Sequence, residues 1–211
     1  MFKTRMAAVL MVGLFVSGVA SAQLQGSDHD FSTDGWNSTG EMCVVCHTPH
    51  NAVTTGVSAN APLWNHETTT ATFSTYVGFD LESTPGQPSS SSLLCLSCHD
   101  GTVALDSFGG ATGSNFIGGG ANFGTDLTND HPIGVLYTDT EIASDGELQP
   151  LTNTYTVPVA GGVDTVLNGL LNNGTTVECA SCHDVHNKNT DGALLKVNNA
   201  NSALCTTCHA K

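Results

Sequence analysis

Apolar residues are spread thinly along this chain and hold neither a sustained 3.6-residue period nor a long alternating one. Two short runs, ATFSTYV at 71–77 and TNTYTVPV at 152–159, predict short strands or hairpins. Short helical turns are expected around the paired cysteines, with DGTVALDSF (100–108) and SALCTTCHA (202–210) as the best candidates. Elsewhere, residues 51–92 are rich in Thr, Ser and Ala with Pro62, Pro85 and Pro88, and residues 107–125 are glycine-rich, including GGATGSNFIGGG. The pattern predicts a mostly irregular chain with short helices and a few short β-hairpins. So few large apolar side chains hardly offset the entropy of ordering the backbone, and something other than side chains has to supply the core.

One apolar run stands apart. Lys3 and Arg5 precede it at residues 7–19, and Ala20-Ser21-Ala22 follows with the small-residue pattern at which signal peptidase cuts. The run is shorter than the roughly 20 apolar residues that a membrane-spanning helix needs. Residues 1–22 therefore read as a signal peptide and residues 23–211 as a single exported domain with no membrane span.

Removing the leader sharpens the charge. Residues 23–211 keep Lys188, Lys196 and Lys211 against 19 acidic residues, a formal charge of −16. Nucleic acid and anionic lipid are poor partners for such a surface. The acidic stretch DTEIASDGE at 139–147 reads as a solvated loop, with a divalent-cation site as the alternative. Met1, Met6 and Met11 also leave with the leader, so Met42 is the one thioether that remains.

All eight cysteines fall into four pairs of identical spacing, each followed at once by histidine. They are Cys43, Cys46 and His47; Cys95, Cys98 and His99; Cys179, Cys182 and His183; Cys205, Cys208 and His209. The pattern C-x-x-C-H attaches c-type haem: the two thiols add across the vinyl groups, and the adjacent histidine becomes the proximal iron ligand. Disulfides within each pair would close tight loops and staple nothing distant. The last two pairs approach the spacing of a zinc ribbon, but that leaves the first two pairs and all four trailing histidines unexplained. A thioredoxin-like site needs a βαβ pattern near one pair, and none is legible. The sequence predicts four covalently attached haem c groups, with the irregular chain wrapped around a stack of them and glycine letting backbone pass close over their faces.

Five histidines lie outside the motifs: His29, His50, His66, His131 and His186. Met42 immediately precedes Cys43 and cannot curl around its own macrocycle, so it reads as a packing residue. Five candidates for four irons fit bis-histidine ligation throughout, which implies low-spin haems of low potential. His47 and His50 are three residues apart, as are His183 and His186, so on a helical turn each pair shares a face. Neither pair can grip opposite faces of one haem, so His50 and His186 must each ligate a haem other than the one attached next to them. One turn of chain would thus hold two haems almost in contact, as electron transfer requires. His131 precedes Pro132, which favours the extended backbone of a ligand presented from a loop. His66 follows Trp64, whose ring could pack on a porphyrin edge, and is the expected spare. His29 sits on an N-terminal arm expected to be loose, free to ligate a haem of a neighbouring copy.

The segments GSDHDFS, CVVCHTPHNA, APLWNH, LCLSCHDGTVALDS, DLTNDHPIGV, VECASCHDVHN and LCTTCHAK occur in an order that resembles the extracellular tetrahaem cytochromes of metal-reducing bacteria, the doubled-CXXCH type that forms nanowires. The resemblance spans residues 26–211. It implies a filament of copies of the chain packed head to tail, with bis-histidine haems in a continuous row and one distal histidine crossing between subunits. It also implies extracellular acceptors such as metal oxides, and periplasmic or outer-membrane cytochromes as donors. Two other classes share the motifs: a soluble periplasmic tetrahaem shuttle with self-contained ligation, and a multihaem reductase with one open iron. The surplus of histidines over irons argues against the reductase, so an electron carrier rather than an enzyme is expected.

Overall fold

Regular structure is sparse in the computed structural model, which describes residues 24–54, 63–78, 81–157, 162–186 and 193–210. The expected leader lies outside the described residues. The elements are helix α1 (Ser90–His99), strand β1 (Val135–Leu136), helix α2 (Asp139–Asp145), strands β2 (Thr154–Val157), β3 (Gly162–Thr165) and β4 (Thr176–Val177), and helices α3 (Cys179–Cys182) and α4 (Ala203–Cys208). β2 and β3 form an antiparallel hairpin, and β1 pairs antiparallel with β4. The chain is mostly irregular with short helices, as expected; of the few hairpins expected, the described residues hold one, β2–β3, while β1 and β4 pair across 39 intervening residues. Among the described residues, no helix is long and apolar enough to cross a membrane.

Three local expectations differ from the structure. DGTVALDSF is not helical: α1 lies one segment upstream, over SSSLLCLSCH, and stops at His99. Gly101 adopts φ +72°, and a Cβ there would sit 2.5 Å from the Asn122 side chain, so the chain turns sharply where a helix would have to run on. ATFSTYV is extended but forms only one bridge, Ser74 to Asp126. The side chain of Gln87 takes over there, accepting from Phe73 N at 2.9 Å and donating to Phe73 O at 2.8 Å, so no ladder is needed. DTEIASDGE, expected as a loop, forms α2. Thr138 caps it by accepting from Thr140 N at 3.3 Å, Asp139 and Glu141 occupy the first turn, and Gly146 at φ +73° ends it. The T-x-x-E of Thr138 to Glu141 is a capping-box signature, and the two side chains are hydrogen-bonded.

Side-chain cores are small. One cluster gathers Tyr137, Tyr155, Val166, Leu170, Leu171 and Val197; another gathers Phe73, Leu96 and Leu127. The second sits under α1 through Leu96, and the first packs against α4 through Ala203, Leu204 and Cys208. Each core thus backs a helix that carries a C-x-x-C-H motif.

Candidate haem-attachment and ligation site

Three of the four motifs fold by a shared local rule. In the first, third and fourth, one helical turn is closed by the histidine N–H donating to the first cysteine's carbonyl: His47 to Cys43 at 2.9 Å, His183 to Cys179 at 3.0 Å and His209 to Cys205 at 2.9 Å. The histidine then leaves the turn as a β-bridge, His47 to Trp64, His183 to Leu195 and His209 to Leu148. His183 and His209 have nearly the same backbone, φ −106° with ψ 141° and 135°. The second motif differs, because Cys95, Cys98 and His99 all lie within α1. One turn places the two thiols and the imidazole around one small patch, as attachment to a single porphyrin requires.

The imidazoles are oriented. His99 Nδ1 donates to Ala121 O at 2.8 Å and His183 Nδ1 to Ala193 O at 2.9 Å, while His131 Nδ1 donates to Pro132 O at 3.0 Å. A carbonyl only accepts, so each Nδ1 carries the proton and Nε2 keeps its lone pair for a metal. Asp184 Oδ1 accepts from the His186 backbone N–H at 3.1 Å and lies 3.7 Å from His186 Nδ1.

Three motif histidines face three histidines from outside the motifs. Ring centroids are 6.0 Å apart for His99 and His29, 6.2 Å for His47 and His186, and 6.4 Å for His209 and His131. Two imidazole nitrogens about 2 Å from one metal, on opposite sides, put the ring centroids about 6 Å apart. The residues present therefore fit a bis-histidine metal. His29 Nδ1 is buried without a hydrogen-bond partner, and burial, then the neighbouring His99, lowers the His29 pKa, which favours the neutral imidazole that binds metal. His50 is exposed, in a turn where its N–H donates to Thr48 Oγ1 at 3.3 Å and its carbonyl accepts from that hydroxyl at 2.7 Å. No ring contact joins it to His183.

His66 stands apart from these pairs. It is 1% exposed, with Nδ1 2.7 Å from Glu67 O and Nε2 2.9 Å from Ala104 O, so both ring nitrogens already face carbonyl oxygens. Its Nε2 is also 3.7 Å from Cys98 Sγ. It ties strand-like residue 66, bridged to Phe108, onto the second motif. Trp64 stands edge-on to His47, with centroids 6.4 Å apart and an interplanar angle of 89°. The expectation of a loose N-terminal arm is corrected: Asp30 accepts from Gly26 N and from Ser32, Asn37 donates to Phe31 O and Glu41 O, and His29 is held against His99 of its own chain.

Cys43 and Cys205 are exposed, and the other six cysteines are half-buried. Burial pushes Cys46 up to about 11, Cys98 to about 12 and Cys208 to about 11. Cys179 N donates to Ser92 Oγ at 3.0 Å, one helical turn before Cys95, so the second and third attachment points are adjacent, and the neighbouring thiols push Cys95 up and Cys179 down. No three described His, Cys, Asp or Glu side chains converge as a metal cage, at the last two cysteine pairs or at residues 139–147.

Sequence reading missed two buried polar residues that position the motifs. Asn65 donates from Nδ2 to Val44 O, accepts from Gly109 N at 3.2 Å and pairs its own N–H with Cys46 O at 3.0 Å, so it anchors the first motif's turn. Glu178 ties α3 to α1, and its place directly before Cys179 was the available signal.

Residues 172–211 match the family model described as the doubled CXXCH motif. No curated protein matches the chain. The doubled motif, set beside two further copies at Cys43 and Cys95, points to a multihaem c-type cytochrome that binds haem c covalently and carries electrons.

Proposed function

We propose that the exported chain transfers electrons through four closely spaced bis-histidine haem c groups, as the subunit of an extracellular cytochrome filament. The observation that carries the ligation is the facing of His47 with His186, His99 with His29 and His209 with His131 across 6.0–6.4 Å. The remaining distal histidine, His50, then serves His183 by elimination, because His66 has both nitrogens engaged. The two C-H-x-x-H runs exchange ligands: the run at 183–186 supplies His186 to the first haem, and the run at 47–50 supplies His50 to the third. Bound haem would supply the one-electron carrier. The chain's own residues attach it, orient the imidazoles through Nδ1 and set the spacing between neighbours.

The filament rests on the order of motifs along residues 26–211 and on a formal charge of −16, which suits cationic or mineral acceptors. One observation favours a second reading, a soluble tetrahaem shuttle: His29 faces His99 in its own chain, so ligation closes within one subunit. On the filament reading, subunits would then join by surface contacts rather than by a shared iron. Size-exclusion chromatography of the secreted protein separates the two, a polymer supporting the filament and a stable monomer the shuttle. Intact mass tests the cofactor: four haem units above the polypeptide, with all eight cysteines inert to thiol reagents, is the expected result. Zinc or free thiols would contradict it.

A further inference from the structure

Glu178 is a buried carboxylate placed between two attachment points. It is 1% exposed, and its oxygens accept from Ser89 N at 3.3 and 3.4 Å, from the Ser92 hydroxyl and from the backbone N–H of Ser181. Ser89 occupies the N-cap position of α1 and Glu178 that of α3, so a single carboxylate joins the starts of both helices. Ser92, fully buried, completes the tie: its oxygen also accepts from Cys179 N at 3.0 Å. Ser92 lies one helical turn before Cys95, and Glu178 directly precedes Cys179. The Ser92–Cys179 bond brings the third attachment point within one helical turn of the second. The carboxylate therefore sits where the second and third haems are joined to the chain.

Its partners are N–H and O–H dipoles. Lys196, the only Lys or Arg among the described residues, donates its ammonium to Gly169 O at 2.9 Å. Burying a carboxylate costs free energy that hydrogen bonds offset only in part. A buried negative charge also stabilises whichever state of a neighbouring redox centre is more positive, which for haem iron is the oxidised one.

On the haem-binding reading above, we propose that Glu178 is a positioning residue that fixes the second and third haem attachments against each other and, through its charge, holds the reduction potentials of that pair low. The effect follows from Coulomb's law: at an effective dielectric of about 20, removing one nearby charge shifts a one-electron equilibrium on the order of tenfold, about 59 mV. Ser92 acts with the opposite sign. Its hydroxyl partly neutralises the carboxylate, so losing it strengthens the field.

The test is spectroelectrochemical titration of the purified haem-loaded protein, with haem content and far-UV circular dichroism measured on the same samples. Glu178→Gln is expected to move part of the titration curve positive by about tenfold in the reduction equilibrium, about 59 mV, with haem content unchanged. Ser92→Ala is expected to move the same part negative. A general loosening would move both variants the same way and would overturn the proposal, as would superimposable curves. If Glu178→Gln yields no loaded protein, Ser92→Ala decides alone: a negative shift supports the proposal, and no shift or a positive one overturns it. Failure of the underlying reading looks different, since the unsubstituted protein itself would then lack four haems.

Discussion

His47 and His186 face each other with ring centroids 6.2 Å apart and ring planes within 8° of parallel, although 138 positions separate them in the chain. His186 is delivered from the turn that follows α3, three residues beyond His183, which belongs to a different motif. The relationship makes the C-H-x-x-H run at 183–186 a bridge between the third motif and the first, and it gives a direct mutational consequence. His186→Ala should leave one of four haems five-coordinate and high-spin, visible in the oxidised spectrum, with haem content still four. A fully low-spin His186→Ala protein would place another ligand there.

His66 should behave oppositely. Replacing it by alanine removes the ring from between Glu67 O and Ala104 O, and since a neutral imidazole has one N–H to give, the carbonyl that accepts it is left unsatisfied at about 1–3 kcal/mol. The midpoint of denaturant unfolding should fall while the spectrum stays low-spin. Appearance of a high-spin haem in His66→Ala would make it a ligand after all.

His29→Ala separates ligation within a chain from ligation across a junction. Because His29 lies against His99 of its own chain, the substitution should create one high-spin haem even in the monomeric fraction. A monomer that is already high-spin before substitution, and becomes low-spin only on polymerising, would show that the ligand crosses between copies.

How much of this was legible in the sequence differs by residue. The C-x-x-C-H spacing is chemistry written in adjacent letters, and the turn that it needs is local, so all four motifs could be read directly. What could not be read was long-range: the fixing of the 24–40 arm depends on Asp30 and Asn37 making short-range bonds whose value shows only once His29 has a place against His99. The helix at DTEIASDGE was legible and missed, since charge drew attention away from the Thr138–Glu141 cap. Gly101 after His99 likewise carried the stop signal that moved the helix off DGTVALDSF and onto the cysteines.

That cap is separately testable. Thr138→Ala should cost about 1 kcal/mol, as loss of an N-cap does, and should raise amide exchange across α2 without changing any haem spectrum.

The glycine-rich segment offers a pH test. The Asp106 carboxyl is held below its ordinary value by the Asn115 backbone N–H, the Asn115 side chain and Ser114 N. A carboxyl whose folded pKa is depressed contributes stability that is present above its unfolded value and lost as pH falls through the folded one. Protection of the Ser114 and Asn115 amides should therefore decline on acidification below the ordinary value of 3.8, and Asp106→Asn should abolish that dependence. Equal protection in both proteins across the same window would remove Asp106 as the anchor of the loop.

Electron cryomicroscopy of the secreted protein tests the central claim most directly, because it shows haem number, ligation and polymer state together. The account predicts four haems per chain, with one iron between each of His47 and His186, His99 and His29, His209 and His131, and His183 and His50, and with His66 bonded only to carbonyls. An iron bound by His66, or any iron with a single histidine ligand, would contradict it.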